Sequence, residues 1–309
     1  MGCGGKHTIS RTLTILVATV ALAGCSSMSR LLGDAPATPQ TTATAEPSGV
    51  GITKGSGVAP DLAAADNSEP VADLYNKGLA KLNAGEYRAA AKQFEEVERQ
   101  HPYSGLATKA ILMTAYAQYQ RNSYEDAINA AQRFITLHPG HKDTPYAYYL
   151  VALSYYEQIM DVKRDQSVTQ NALSALEEVG RRFPGSTYAQ DAEGKAVLAR
   201  DHLAGKEMEV GRYYLKKRAY VAAINRFKSV IVNYQTTSQT PEALYRLTEA
   251  YYSLGVQSEA QTAAAVLGHN YPSSQWYKDA YSLLASGGIA PAENTESWIS
   301  KAIRKVTPF

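Results

Sequence analysis

Apolar and polar positions divide the chain into three stretches of different rhythm. A mostly apolar run from Leu13 to Leu22, broken only by Thr14 and Thr19, follows Lys6 and Arg11. Residues 26–70 then carry no aromatic side chain and are dominated by Thr, Ala, Gly, Ser and Pro. From residue 71 onward, apolar residues recur every three to four positions, the period of a helix with one buried face. These pieces share a frame. Tyr87-x-x-Ala90-x-x-x-Phe94 precedes Pro102, and Tyr124-x-x-Ala127 precedes Pro139 at the same distance. Ala172 stands in the same relation to Pro184, and Ala260 to Pro272. Tyr220-x-x-Ala223-x-x-x-Phe227 fits as well, with Gln235 where the proline would be.

A small residue that lets two antiparallel helices approach, and a proline that closes the second, resembles the tetratricopeptide pattern. Gly78, Ala115 and Thr248 take the small position of the first helix in the first, second and fifth units, although no unit carries the usual Trp. The expected fold is an all-α solenoid of five tetratricopeptide-like helical hairpins. A polar insertion at 161–170, with Lys163, Arg164 and Asp165, predicts a longer loop inside the third unit. The fourth unit predicts a long first helix over about 188–214. Ser104, Ser186, Thr237 and Ser274 are expected helix caps, and Thr144 the cap of the third unit. Past Gly287, Gly288 and Pro291, the residues Trp298, Ile299, Ala302, Ile303 and Val306 recur on one helical face.

The amino-terminal run is too short to span a bilayer, which takes about 20 apolar residues. With its basic start it reads as a secretory signal over 1–24. It ends in Leu22-Ala23-Gly24-Cys25, which resembles the bacterial lipobox. That resemblance implies a lipid on Cys25, cleavage before it and, because Ser26 is not aspartate, an anchor on the periplasmic face of the outer membrane. Residues 25–70 are then a lipidated cysteine and a disordered tether, with a flexible-chain span of about 35–40 Å.

Composition narrows the function further. Removal of the signal takes away Lys6 and Arg11 and no acid, so basic and acidic residues balance; nothing argues for nucleic acid. The two cysteines, Cys3 and Cys25, lie outside the repeats and do not form a structural pair. The sequence has 22 Tyr against 5 Phe and 2 Trp, an excess of rings that carry a polar tip. No catalytic, metal or cofactor motif is found. Pro139-Gly140 breaks the His138–His141 pair, and the neighbouring carboxylates Glu95-Glu96 and Glu177-Glu178 diverge around their helices.

Carried over from the repeat family, the inward positions of the first helices are Tyr75 and Leu79, then Leu112, Tyr116 and Tyr119, then Tyr149, Leu153 and Tyr156. Residues 71–185 are therefore expected to form an aromatic, peptide-binding groove. Residues 186–286 carry a basic and aromatic cluster, Arg212, Tyr213, Lys217 and Arg218, expected to dock a partner; 287–309 form a tail. Lipobox, tether and five repeats together resemble the BamD (ComL) lipoproteins of outer-membrane β-barrel assembly. Arg164-Asp165, Val210-Gly211-Arg212-Tyr213-Tyr214, Ala219-Tyr220-Val221-Ala222 and Asn225-Arg226 carry the likeness locally. It implies a BamA-like barrel subunit and other assembly lipoproteins as partners. It also implies that unfolded outer-membrane precursors enter the amino-terminal repeats. Two other classes use similar repeats: adaptors of peptidoglycan hydrolases, and CpoB-like adaptors of envelope division complexes.

Overall fold

The computed structural model describes residues 69–304. The signal, Cys25, the tether, Val306 and the rest of the last five residues lie outside them. Twelve helices follow one another among the described residues, and no strand is found there. They pair as α1 (Val71–Asn83) with α2 (Tyr87–Gln100), α3 (Gly105–Gln120) with α4 (Tyr124–Leu137), and α5 (Thr144–Tyr156) with α6 (Ser167–Arg182). Next come α7 (Thr187–Lys216) with α8 (Tyr220–Asn233), and α9 (Thr240–Ser253) with α10 (Gln257–Asn270). These are the five expected hairpins. The array ends in a lone first-type helix, α11 (Gln275–Ser286), packed on α9, and a short helix, α12 (Trp298–Arg304).

The repeated frame has a physical cause at each position. The alanines Ala90, Ala127, Ala172, Ala223 and Ala260 are all fully buried where the two helices of a hairpin touch. In the first and fourth units the opposing position is glycine. A Cβ on Gly78 would lie 2.6 Å from the Phe94 ring, and Gly211 is pressed as hard by Phe227. The second helices end in one shared conformation, at His101, His138, Phe183, Tyr234 and Tyr271. In four of the five the next residue is proline, which disfavours helical backbone in the residue before it. Turns inside four hairpins need a residue at positive φ: Gly85, Asn122, Arg218 and Gly255. Arg218, at φ 58, is the costly choice among them.

Three of the expected caps form. Ser104 accepts a bond from the backbone N–H of Ala107, Ser186 from Ala189 and Ser274 from Trp276. Thr237 and Thr144 do not cap. Helices α5 and α9 instead open on Thr-Pro, and the buried hydroxyls of Thr144 and Thr240 donate back to carbonyls of the preceding turn, those of His138 and Tyr234. Proline at the helix start needs no N–H partner, so a serine-type cap gains less there. Thr237 likewise donates to the carbonyl of Tyr234.

Successive first helices touch, α1 with α3, α3 with α5, and α5 with α7. Second helices α2, α4 and α6 make no comparable contacts with one another. The first helices therefore line the inner wall of a curved stack. Helix α7, of 30 residues, joins its two halves. Ala192, Ala196 and Ala199 pack in the core with α5 and α6, while Ala204 and Met208 belong to the core with α8. The polar insertion is shorter than the sequence suggests, since Ser167–Gln170 already belong to α6. Its ordered part folds against α7, where Val162 meets the bare face of Gly205 and Lys206 donates to the carbonyl of Lys163.

Candidate functional site

Five tyrosines from α3, α5 and α7 gather on the inner wall. Tyr146 and Tyr149 lie 5.5 and 5.4 Å from the Tyr188 ring. Tyr116 and Tyr119 stand close enough to act electrostatically on Tyr146, and Tyr119 on Tyr149. A half-buried face made of rings, with hydroxyls at its margin, is what the sequence anticipates from Tyr116, Tyr119 and Tyr149. It did not anticipate Tyr146 or Tyr188. Tyr146 sits one helical turn before Tyr149, and Tyr188 follows the Ser186 cap, so both were findable from the same first-helix register.

Carboxylates fix these rings. Tyr149 donates to Asp191, and Tyr119 is 3.4 Å from Glu157. Tyr116 accepts a 2.6 Å bond from Gln120. Tyr156 is covered by the ammonium of Lys195, 5.8 Å from its ring, and Lys195 in turn pairs with Asp191 at 2.7 Å. Tyr75 packs at 5.5 Å on Phe94, the ring wedged against Gly78. Burial, with Asp143 nearby, pushes its hydroxyl from 10.0 up to about 12. Burial and neighbouring carboxylates raise Tyr119 and Tyr149 further, and burial chiefly raises Tyr146. All four stay neutral donors over the physiological range. The wall therefore offers uncharged ring faces in fixed orientation, at little further cost in side-chain entropy.

Leu112 is not part of the wall. It is 2 % exposed and packs beneath with Ile111, Phe134 and Ala147. The inward register carried from the repeat family falls one position too deep there, because α3 is apolar around much of its circumference, with nine buried residues. Leu79 and Leu153 are half-buried.

The basic cluster also separates. Tyr213, Lys216, Lys217 and Arg218 are exposed at the α7–α8 turn, with Lys217 5.9 Å from the Tyr213 ring. Arg212 points elsewhere. It binds Glu242 at 3.0 Å and Glu209 at 3.3 Å, and Glu242 binds Arg246, which reaches Glu249. This chain of alternating charge ties α7 to α9, so Arg212 is an internal staple, not a free anchor. At the equivalent α9–α10 turn Leu254 and Val256 are exposed, and Val221 is exposed beside Arg218. The outward edge of the fourth and fifth hairpins is thus apolar as well as basic.

His138, tilted, and His141, edge-on, each lie 5.5 Å from the Phe134 ring and serve packing. Among the described residues no group of three or more His, Cys, Asp or Glu is placed to hold a metal ion, and no helix is long and apolar enough to cross a membrane.

Comparison with known proteins points to one family. The profile of the family YfiO, described as outer membrane lipoprotein, matches residues 67–267. An outer membrane protein assembly factor BamD from Caulobacter vibrioides is 52% identical over 223 residues, covering 72% of this chain and 73% of its own. The protein of the same name from Rickettsia prowazekii is 49% identical over 215 residues, covering 70% and 86%. That from Neisseria meningitidis serogroup A is 36% identical, covering 68% and 83%.

Proposed function

The chain belongs to the outer membrane lipoprotein family YfiO, and on that premise we propose that it is an assembly factor for outer-membrane proteins, held to the membrane by lipid on Cys25. It works as a scaffold and performs no chemistry of its own. Its amino-terminal hairpins receive unfolded β-barrel precursors, and the outward edge of its fourth and fifth hairpins docks a BamA-like barrel subunit.

The observation that carries the first role is the wall of Tyr116, Tyr119, Tyr146, Tyr149 and Tyr188. An unfolded barrel strand alternates aromatic and polar side chains. Its rings lie against tyrosine faces, and its unpaired backbone groups meet polar groups at the groove edge, such as Lys109 and Gln120. Because the extended segment loses conformational entropy on binding, affinity is modest. The second role is supported by an exposed aromatic with basic neighbours, Tyr213 beside Lys217 and Arg218. Two or more acyl chains at Cys25 make the attachment stable where one chain would not.

The test is binding of a fluorescent peptide with the alternating aromatic pattern of a terminal barrel strand. The double variant Tyr119→Ala, Tyr149→Ala should weaken it about fivefold or more, as expected for losing two ring contacts of about 0.5–1.5 kcal/mol each. Unchanged affinity would remove the groove from the account.

A further inference from the structure

Helix α12 lies in a groove between two second helices, α8 and α10, and in contact with both. Ile299 and Ile303 are buried there in the core formed by Ile231, Leu244, Leu247, Ala263 and Val266. Polar contacts fix its register. The indole N–H of Trp298 donates to Tyr251 at 3.1 Å, Lys228 lies 4.9 Å from the indole ring, Ser297 donates to Glu259, and Gln235 donates to the carbonyl of Ala302.

The repeat frame contains a second groove of the same build. With Ala127 aligned on Ala223, Thr144 on Thr240 and Ala172 on Ala260, residues lining the surface between α4 and α6 fall on those around α12. Ile135 corresponds to Ile231, Tyr148 to Leu244, Val151 to Leu247 and Ala175 to Ala263. The α4–α6 groove has a volume of about 360 Å³ and is lined by Ile135, Tyr148, Val151 and Ala175 together with Gln132, Thr136 and Glu178. It lies on the outer side of the stack, away from the tyrosine wall. Four correspondences change charge: Gln132 replaces Lys228, Asn171 replaces Glu259, Glu178 replaces Val266 and Arg182 replaces Asn270. Each groove thus holds one carboxylate and one cation: Glu178, paired with Arg182, is the carboxylate of the open groove, as Glu259, which meets Ser297, is of the filled one.

We propose that the α4–α6 groove is a binding site for a short, basic amphipathic helix of a partner protein. The helix carries branched apolar residues four apart, as Ile299 and Ile303 are in α12, and lies along α4 and α6 as α12 lies along α8 and α10. The apolar pair sits over Val151 and Ala175, and a basic flank faces Glu178. That carboxylate is already 2.6 Å from Arg182, so a second cation shares it.

The probe is a fluorescent peptide with the chain's own sequence 294–306, which supplies both the isoleucine spacing and a basic flank. It is added to the full chain, whose α8–α10 groove is already filled. Saturable binding is expected, weakened at least about tenfold by Ala175→Trp or by Thr136→Trp, each placing bulk in the groove. The same loss is expected when the peptide carries Asp at the position of Ile299. A photo-crosslinker at Gln132 should capture the peptide. Circular dichroism of the variants establishes that they fold; two independent positions guard against a local defect. Absence of saturable binding, indifference to both groove variants, or capture only from a crosslinker at Lys228 would overturn the proposal.

Discussion

Gly78→Ala tests the packing beneath the tyrosine wall. In an ordinary exposed helix position this change stabilises, because alanine is a better helix former by about 1 kcal/mol. At Gly78 the added methyl would stand 2.6 Å from Cε1 and 2.8 Å from Cδ1 of Phe94, well inside contact distance. Phe94 is fully buried and packs on Tyr75, so its ring cannot swing clear without moving the wall. Overpacking of this kind costs about 1–3 kcal/mol, and toward the upper end where a ring is trapped. The net expectation is a loss of about 2 kcal/mol. Gly194 is the internal control. It sits exposed in α7, and a Cβ there meets nothing within 4 Å. Gly194→Ala should stabilise by about 0.5–1 kcal/mol. Urea unfolding followed by circular dichroism reads both, with similar slopes expected for the two variants. Equal stabilisation by the two changes would refute the account of the repeat frame, in which glycine is present because a ring occupies its side-chain space.

Other predictions follow from the same geometry. Tyr75 is raised to about 12 from 10.0, so its stabilising contribution is complete below pH about 10 and is lost as pH rises through its folded value. Phenolate absorbance should show a class of tyrosines ionising about two pH units above the exposed ones, merging with them on unfolding; one uniform titration near pH 10 would contradict this. Reversing Lys217 and Arg218 to glutamate together should weaken capture of the barrel subunit with little change in unfolding midpoint, whereas Arg212→Glu, placed beside Glu209 and Glu242, should lower stability by about 1 kcal/mol or more. Cys25→Ala should deplete the protein from the outer-membrane fraction, read by sucrose-gradient fractionation, because the proposed anchor is the acylated Cys25.

The hairpins were legible because the register alanines and closing prolines act locally. A buried small residue and a stop for the second helix leave the same mark in every unit. What the sequence hid is tertiary. Arg212 reads as part of a basic run with Lys216, Lys217 and Arg218, and only the approach of α9 brings Glu242 to it. Leu112 looks like a wall residue by spacing alone, but α3 is packed on several sides and pulls it beneath. Tyr188 was missed because it begins the fourth unit yet completes a surface built by the second and third. The tail pattern at Trp298, Ile299, Ala302 and Ile303 announced a helix but not its seat between α8 and α10, which depends on contacts far apart in sequence.

The central claim, that unfolded barrel precursors occupy the tyrosine wall, is tested most directly by site-specific photo-crosslinking in cells. Probes at Tyr116, Tyr119 and Tyr156 face the inner wall, and probes at Glu96 and Arg133 lie on second helices, where those side chains pair with Arg99 and Glu98. The account predicts that newly made barrel precursors are captured from the first set and not from the second. Equal capture from both sets, or capture confined to probes in the fourth and fifth hairpins, would contradict it.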